Sequence, residues 1–238
     1  MITFEARDKK AVSIRTLVKK SFLEPLARRI YFKVAARRFH GSRDYWQRRY
    51  SSGGVSGPGS IGRLGHFKAD VLNEFIRQRA VTSVVEFGCG DGSQLTLCRY
   101  PKYLGLDVSP SAVDLCRRRF SGDPSKSFAI LGSIAPGQHD VALSLDVIYH
   151  LVEDEAFEEH MAAVFDSACR FVVIYSSNFT AAPPAPHVRH RKFTDWIEQK
   201  RPNWSLIRTI DNRYPYDRRN DEDTSFANFF FFENTTTH

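Results

Sequence analysis

The chain has 238 residues, 42% hydrophobic and 26% charged, proportions that suit one soluble α/β domain with a short appendage. No run approaches the roughly 18 uncharged apolar residues of a membrane span, and the N-terminus lacks the pattern of a secretory signal. The net charge of +7 is uneven, with +10 in residues 1–50 and −3 in residues 51–238, so basicity belongs to the leader and gives little support to nucleic-acid binding by the body. Cys89, Cys98, Cys116 and Cys169 form no C-x-x-C pair, which argues against a zinc ribbon and for reduced thiols in a cytoplasmic protein.

Residues 1–13 are polar. From Ile14 to Phe39 apolar residues recur three or four apart, which predicts helical segments over about 12–20 and 24–39. Ser21 with Glu24 makes a capping box, and Pro25 fits a first helical turn. Residues 1–40 thus read as a basic helical leader. Its Arg28, Arg29, Lys33, Arg37 and Arg38 suit either a solvated face or, through residues 15–38, a peripheral contact with an anionic membrane or an acidic partner. Residues 41–65 read as a glycine-rich lid: seven of the fifteen residues 51–65 are glycine or proline, and Tyr45, Trp46 and Tyr50 stand just before them. Tyr50 is a candidate substrate contact.

The domain proper is expected over 66–238. An amphipathic helix at 66–79 leads into strands at 82–87, 103–108, 127–131, 140–147 and 171–176. Helices are expected at 93–99, 111–120, 154–168 and 193–199. The last strands, at 204–210 and 225–232, lack a long crossover between them. This alternation predicts a doubly wound, seven-stranded, mostly parallel α/β sheet with an antiparallel edge.

Ligands of such sheets sit at the carboxyl ends of the strands, and three features fall there. Glu86-Phe87-Gly88-Cys89-Gly90-Asp91-Gly92 is a strand running into a glycine turn, spaced G-x-G-x-G where a dinucleotide fingerprint prefers G-x-G-x-x-G. Asp107 lies 17 residues after Gly90, where a carboxylate can accept both hydroxyls of a ribose; Ser109 and Ser111 are available to cap the next helix instead. Ser144–Leu151 is an apolar strand ending in Asp146, Tyr149 and His150.

The order and spacing of these features, from residue 82 to about 177, resemble class I S-adenosylmethionine-dependent methyltransferases. The resemblance implies a Rossmann-like fold and an adenosylmethionine site. Glu86, Gly88, Cys89, Gly90 and Gly92 would surround the methionine and ribose portion, together with Asp146. Asp107 would hold the ribose hydroxyls, and Val108 would touch adenine. Many members carry an acidic residue after strand three. Here Ser133 and Ile134 stand in that place.

An acceptor hydroxyl needs a base or a metal, whereas an amine needs only to be neutral. His150 is the preferred base, with Asp146, His187 and His190 as further catalytic candidates. A divalent metal stays open, although no spacing matches a strong metal motif. Tyr149, Arg189 and Arg191 are candidate substrate contacts. The stretches S-G-x-G-S-x-G-x-L, S-L-D-V-I-Y-H-L-V-E-D and H-V-R-H-R-x-F-T, with the glycine turn, resemble bacterial methyltransferases of sugar and glycoside modification. That implies O-methylation of a small-molecule or oligosaccharide hydroxyl. The alternatives are N- or O-methylation of another metabolite or natural product and, against the missing N/D-P-P-Y/F signature, a nucleic acid. A homo-oligomer and a membrane-associated state also stay open.

Overall fold

The computed structural model describes residues 35–37, 39–135, 137–183 and 185–236. The helical segment expected at 12–20, most of the one expected at 24–39 and most of the expected surface contact through 15–38 lie outside the described residues; residues 35–37 are helical. The body spans residues 39–238.

The strands are β1 (Ser83–Phe87), β2 (Lys102–Asp107), β3 (Lys126–Ile130), β4 (His139–Leu145), β5 (Ala168–Ser176), β6 (Trp204–Ile210) and β7 (Asn228–Asn234). They form one sheet in the order β3-β2-β1-β4-β5-β7-β6. The first five are parallel, and β7 runs antiparallel to both β5 and β6. This is the seven-stranded Rossmann-like sheet with an antiparallel edge that the sequence predicts. The helices are α1 (Ser42–Ser51), α2 (Gly62–Gln78), α3 (Pro110–Arg119), α4 (Asp154–Asp166) and α5 (Phe193–Lys200).

Neighbouring residues of a strand point to opposite faces, so an apolar strand feeds two cores at once. Val84, Val173, Phe229 and Phe231 pack with Phe67, Leu72, Phe75 and Ile76 of α2. Val85, Val172, Phe230 and Phe232 pack on the other face with Met161 and Val164 of α4 and Phe193 and Ile197 of α5. The run Phe229–Phe232 divides its four rings between the two layers, which fixes the register of β7.

Three local differences from the sequence reading have physical causes. Residues 42–51 form α1, which carries no apolar stripe and buries only Ser42 and Tyr50. The helix expected at 93–99 is a 3-10 turn at Gln94–Leu97, closed by the Cys98 amide on the Leu95 carbonyl. Strand β7 starts at Asn228 because Ser225 caps a turn, accepting from the Ala227 amide at 3.1 Å.

Phe231 is fully buried, with its ring centroid 4.8 Å from that of Phe75. Phe231→Ala should therefore lower stability by about 3–5 kcal/mol. Urea unfolding should show this as a lower midpoint at an unchanged slope.

Candidate functional site

The carboxyl edge of the sheet is where backbone geometry departs most from the regular. After β1 the chain turns through Gly88 (φ +92°) and Gly90 (φ +56°), conformations that favour glycine. A Cβ on Gly88 would lie 2.5 Å from Val147 Cγ2, and one on Gly90 would lie 2.3 Å from Ser56 Oγ. The Gly88 and Cys89 amides both donate to the Leu106 carbonyl, which ties the turn to β2. The end of β2 then presents Asp107. Its Oδ2 accepts from the Gly90 amide and its Oδ1 from the Ser109 amide, both at 2.9 Å. Burial raises its pKa to about 6. Ser109 caps α3 by accepting from Ala112, so that task does not fall to Asp107. Below the turn, Glu86 accepts from the Tyr103 hydroxyl at 2.6 Å, and burial raises its pKa to about 7.

Asp146 follows β4 at φ +59°, a left-handed conformation uncommon for a residue with a side chain. Its Oδ2 pairs with Lys68 Nζ at 2.5 Å, and its Oδ1 accepts from the Tyr149 hydroxyl at 2.6 Å. Lys68 comes from α2, is 1% exposed, and stands 5.2 Å from the Tyr175 ring centroid. His150 ends the 3-10 turn Ile148–His150. Its Nδ1 meets the His187 carbonyl oxygen at 3.0 Å. A carbonyl only accepts, so Nδ1 carries the hydrogen and Nε2 keeps its lone pair. Desolvation lowers the His150 pKa to about 4, leaving the ring neutral near neutral pH.

These groups line one cleft of about 450 Å³, within the range of small-ligand sites. The strand order spaces its chemistry along a line. Leu131 and Ile134 make an apolar wall beyond β3, Asp107 and Val108 stand at β2, the glycine turn at β1, and Asp146 with Lys68 at β4. Helix α1 and the segment to Ser60 form the opposite wall, held by polar contacts. Ser42 donates its amide (3.0 Å) and hydroxyl (2.6 Å) to Glu153. Gln47 donates to the Val108 carbonyl at 3.0 Å. Ser56 donates its amide (3.1 Å) and hydroxyl (2.9 Å) to Asp91.

Of the residues picked out in the sequence, Glu86, Gly88, Cys89, Gly90, Asp107, Val108, Ile134, Asp146, His150 and Tyr50 line the cleft. The others stand elsewhere. Gly92 packs under α3, where a Cβ would meet the Phe120 ring at 2.9 Å. Ser133 is exposed and donates to the Ile130 carbonyl. Tyr149 is buried behind Asp146. His187 stacks on Tyr45, with centroids 4.4 Å apart, and holds His150 through its backbone. His190 is buried and hydrogen-bonded to Ser177. Arg189 and Arg191 both pair with Asp154 and donate to the Val152 carbonyl, fastening the chain just after His150. Sequence reasoning missed Lys68, Gln94 and Ser56. A lysine four residues after Leu64 and four before Leu72, inside the apolar stripe of α2, was the available signal for the first.

Among the described residues no group of three or more His, Cys, Asp or Glu side chains converges to hold a metal. The Asp146 carboxylate is already engaged by Lys68 and Tyr149, so the donor set does not fit a divalent ion there. No helix among the described residues is long and apolar enough to cross a membrane.

Residues 85–173 match the family of the methyltransferase domain. No curated protein matches the chain in sequence. Among solved structures, the magnesium protoporphyrin IX methyltransferase ChlM of Synechocystis PCC 6803, with bound SAH, superposes at a TM-score of 0.58 and 16% identity, over 89% of this chain and 99% of that one. The N-methyltransferase NodS of Bradyrhizobium japonicum WM9, in complex with S-adenosyl-L-homocysteine, gives 0.60 and 15%, over 82% and 98%. The methyltransferase domain of the bacterial CtHen1-C gives 0.57 and 17%, over 72% and 98%. At these identities the likeness is one of fold. The domain match supports methyl transfer as the activity, and the ChlM and NodS structures hold the spent form of S-adenosylmethionine.

Glu153 alone accepts both Ser42 donors. Glu153→Ala should therefore speed amide exchange across residues 42–51 while β1 and β4 stay protected, as read by hydrogen exchange with mass spectrometry.

Proposed function

We propose that this protein transfers a methyl group from S-adenosylmethionine to an acceptor hydroxyl, and that the acceptor is a sugar or oligosaccharide. The observation that carries the cofactor half is the order of chemistry along the carboxyl edge. An apolar wall, a carboxylate, a glycine turn and a charge pair follow one another, matching a ligand with a flat base, a diol and a charged amino-acid end. Asp107 fits the diol because it is a buried carboxylate facing the cleft with acceptor capacity left over. Val108, Leu131 and Ile134 would flank the base, with Ser133 nearby on the same turn. Gly88 and Gly90 let Val147 and Ser56 pack close against the turn, where a side chain would collide with them.

When bound, S-adenosylmethionine supplies a methyl group on a positively charged sulfur that leaves as a neutral thioether. The rest falls to the chain. His150 Nε2 carries a lone pair into the cleft, and it takes the acceptor's proton as the new oxygen–carbon bond forms. An imidazole with its pKa lowered to about 4 is a weak base. It suffices because a hydroxyl oxygen becomes strongly acidic as it gains the methyl group. Trp46, edge-on to His150 with centroids 4.9 Å apart, offers a flat face beside the base that suits the C–H face of a sugar ring. Residues 41–65 act as the lid of this site. The basic residues of 15–38 are kept for an anionic surface or acidic partner, and the cell compartment expected is the cytoplasm.

Two experiments test this reading. Calorimetry should show tight binding of S-adenosylhomocysteine above about pH 7. The affinity should fall about tenfold per unit below pH 6, because ribose hydroxyls donate to the ionised Asp107 and a pKa near 6 must be overcome. Asp107→Asn should weaken binding and flatten that dependence. Mass spectrometry of a sugar and oligosaccharide panel incubated with methyl donor should show a gain of one methyl group. His150→Ala should slow that gain by about 10²–10⁴-fold at nearly unchanged cofactor affinity. Full activity of that variant would remove His150 as the base.

A further inference from the structure

Beside the candidate base, the cover carries a cation that no carboxylate among the described residues neutralises. Near His150, Lys68 faces Asp146, and Arg189 and Arg191 share Asp154. On α1, Arg48 pairs with Asp44 at 2.9 Å. Its neighbour Arg49 has no such partner, yet it is held in place. The Arg49 Nε donates to the Val55 carbonyl at 2.7 Å, and the guanidinium carbon stands over the Trp46 ring, 5.5 Å from its centroid. The glycines of the cover are shaped around this side chain. The Gly54 amide donates to the Arg49 carbonyl at 2.8 Å, and a Cβ on Gly54 would lie 2.8 Å from Arg49 Cγ. Gly57, at φ +103°, passes the fork so closely that its Cβ would lie 3.6 Å from Nη2. These contacts leave Nη1 and Nη2 without an acceptor among the described residues. Two observations connect the fork with the base. Trp46 is edge-on to His150 at 4.9 Å, so one ring separates the guanidinium from the imidazole. Its charge also reaches that imidazole and the next. Burial is the main cause of the lowered pKa of His150 and of His187, and Arg49 pushes each the same way. A cation that only braced the cover would weaken the base it stands beside, whereas an acceptor bringing its own anion would cancel that field.

We propose that Arg49 makes this site selective for an anionic sugar, one that carries a carboxylate or a phosphate near the hydroxyl that His150 deprotonates. The planar fork of a guanidinium matches either group through two parallel hydrogen bonds. Nη1 and Nη2 are the donors left over for that contact, and the Val55 and Gly54 contacts fix where the fork stands. Once the anion is bound, Arg49 no longer opposes the imidazolium that forms as the acceptor's proton arrives on His150. Binding of the right acceptor thus strengthens the base that acts on it. The inference rests on the sugar-acceptor reading above and narrows it from sugars in general to acidic ones. It also gives the glycines at 53–57 a second task, since the loop that covers the cleft is the loop that wraps Arg49.

The test is methyl transfer, read by mass spectrometry, to matched acceptors: glucose, galactose and mannose, their uronates and their 6-phosphates. For the wild-type protein, kcat/KM for an acidic member should exceed that of its neutral parent by at least about tenfold, the worth of one charge-assisted pair. The uronate and phosphate arms tell which anion is taken. In Arg49→Met, which keeps an unbranched stem beside Trp46, that ratio should fall towards one. The loss should lie mainly in KM for the acidic acceptor, with S-adenosylhomocysteine affinity unchanged by calorimetry. Arg49→Lys should restore part of the preference, because the charge returns without the fork. Equal losses on neutral and acidic acceptors in Arg49→Met would mark Arg49 as a brace of the cover and overturn the proposal, as would an unchanged ratio in that variant. Should the variant not fold, the wild-type ratio still decides, because equal or greater activity on the neutral parents removes the selectivity. Methylation of no sugar of either kind, with S-adenosylhomocysteine still bound, would overturn the sugar-acceptor reading itself and the inference with it.

Discussion

The hydrogen bond from the Gly90 amide to the Asp107 carboxylate is the contact on which the geometry of the cleft depends. It spans the ends of β1 and β2 and holds the glycine turn in its left-handed path. It also keeps a buried carboxylate aimed at the cleft. Everything around it is fitted to that position. Cys116 of α3 and Phe120 just after it close the space under Gly92, and Ser56 with Tyr50 close the space above Gly90. A side chain at Gly90 would collide with the cover and also force an unfavourable φ, so the turn tolerates no Cβ from either direction.

The site concentrates buried charge on one edge of an otherwise apolar sheet. Asp107, Glu86 and Lys68 are each nearly excluded from water. Leaving such groups unpaired costs several kcal/mol apiece, so each has a local answer. Asp107 takes two backbone amides, Glu86 takes the Tyr103 hydroxyl, and Lys68 takes Asp146. The answers differ in what they leave free. Backbone amides fix Asp107 rigidly while preserving lone pairs for a ligand, whereas the Lys68–Asp146 pair is closed on itself.

The order of strands and helices, and the positions of the glycine turn and Asp107, were readable from the sequence because they rest on short-range patterns. Alternating apolar strands announce themselves within six residues, and the turn-to-carboxylate spacing is fixed by one helical crossover. The rest depends on contacts far apart in sequence. Lys68 looks like a stray charge in an apolar stripe until Asp146, 78 residues later, is seen opposite it. Helix α1 has no apolar periodicity to announce it, and it is fastened by Glu153 at a separation of 111 residues. His187, Arg189 and Arg191 were read as groups that meet a ligand. The structure uses them to hold His150 and the chain after it, a role carried by backbone carbonyls that sequence composition cannot display.

The nature of the cover follows from how it is attached. Ser42, Gln47 and Ser56 fasten it through hydrogen bonds, and its α1 buries little besides Tyr50. Hydrogen bonds exchanged for water cost only about 1 kcal/mol each. A cover seated on apolar surface would lose about 25 cal/mol for every Å² re-exposed. Apart from the ring contacts of Tyr45 with His187 and Trp46 with His150, the fastening is polar, which suits the proposed role of residues 41–65 as a lid that lifts without disturbing either hydrophobic layer. Under the proposed function a ligand beneath that cover would enter, and its spent form leave, on every turnover.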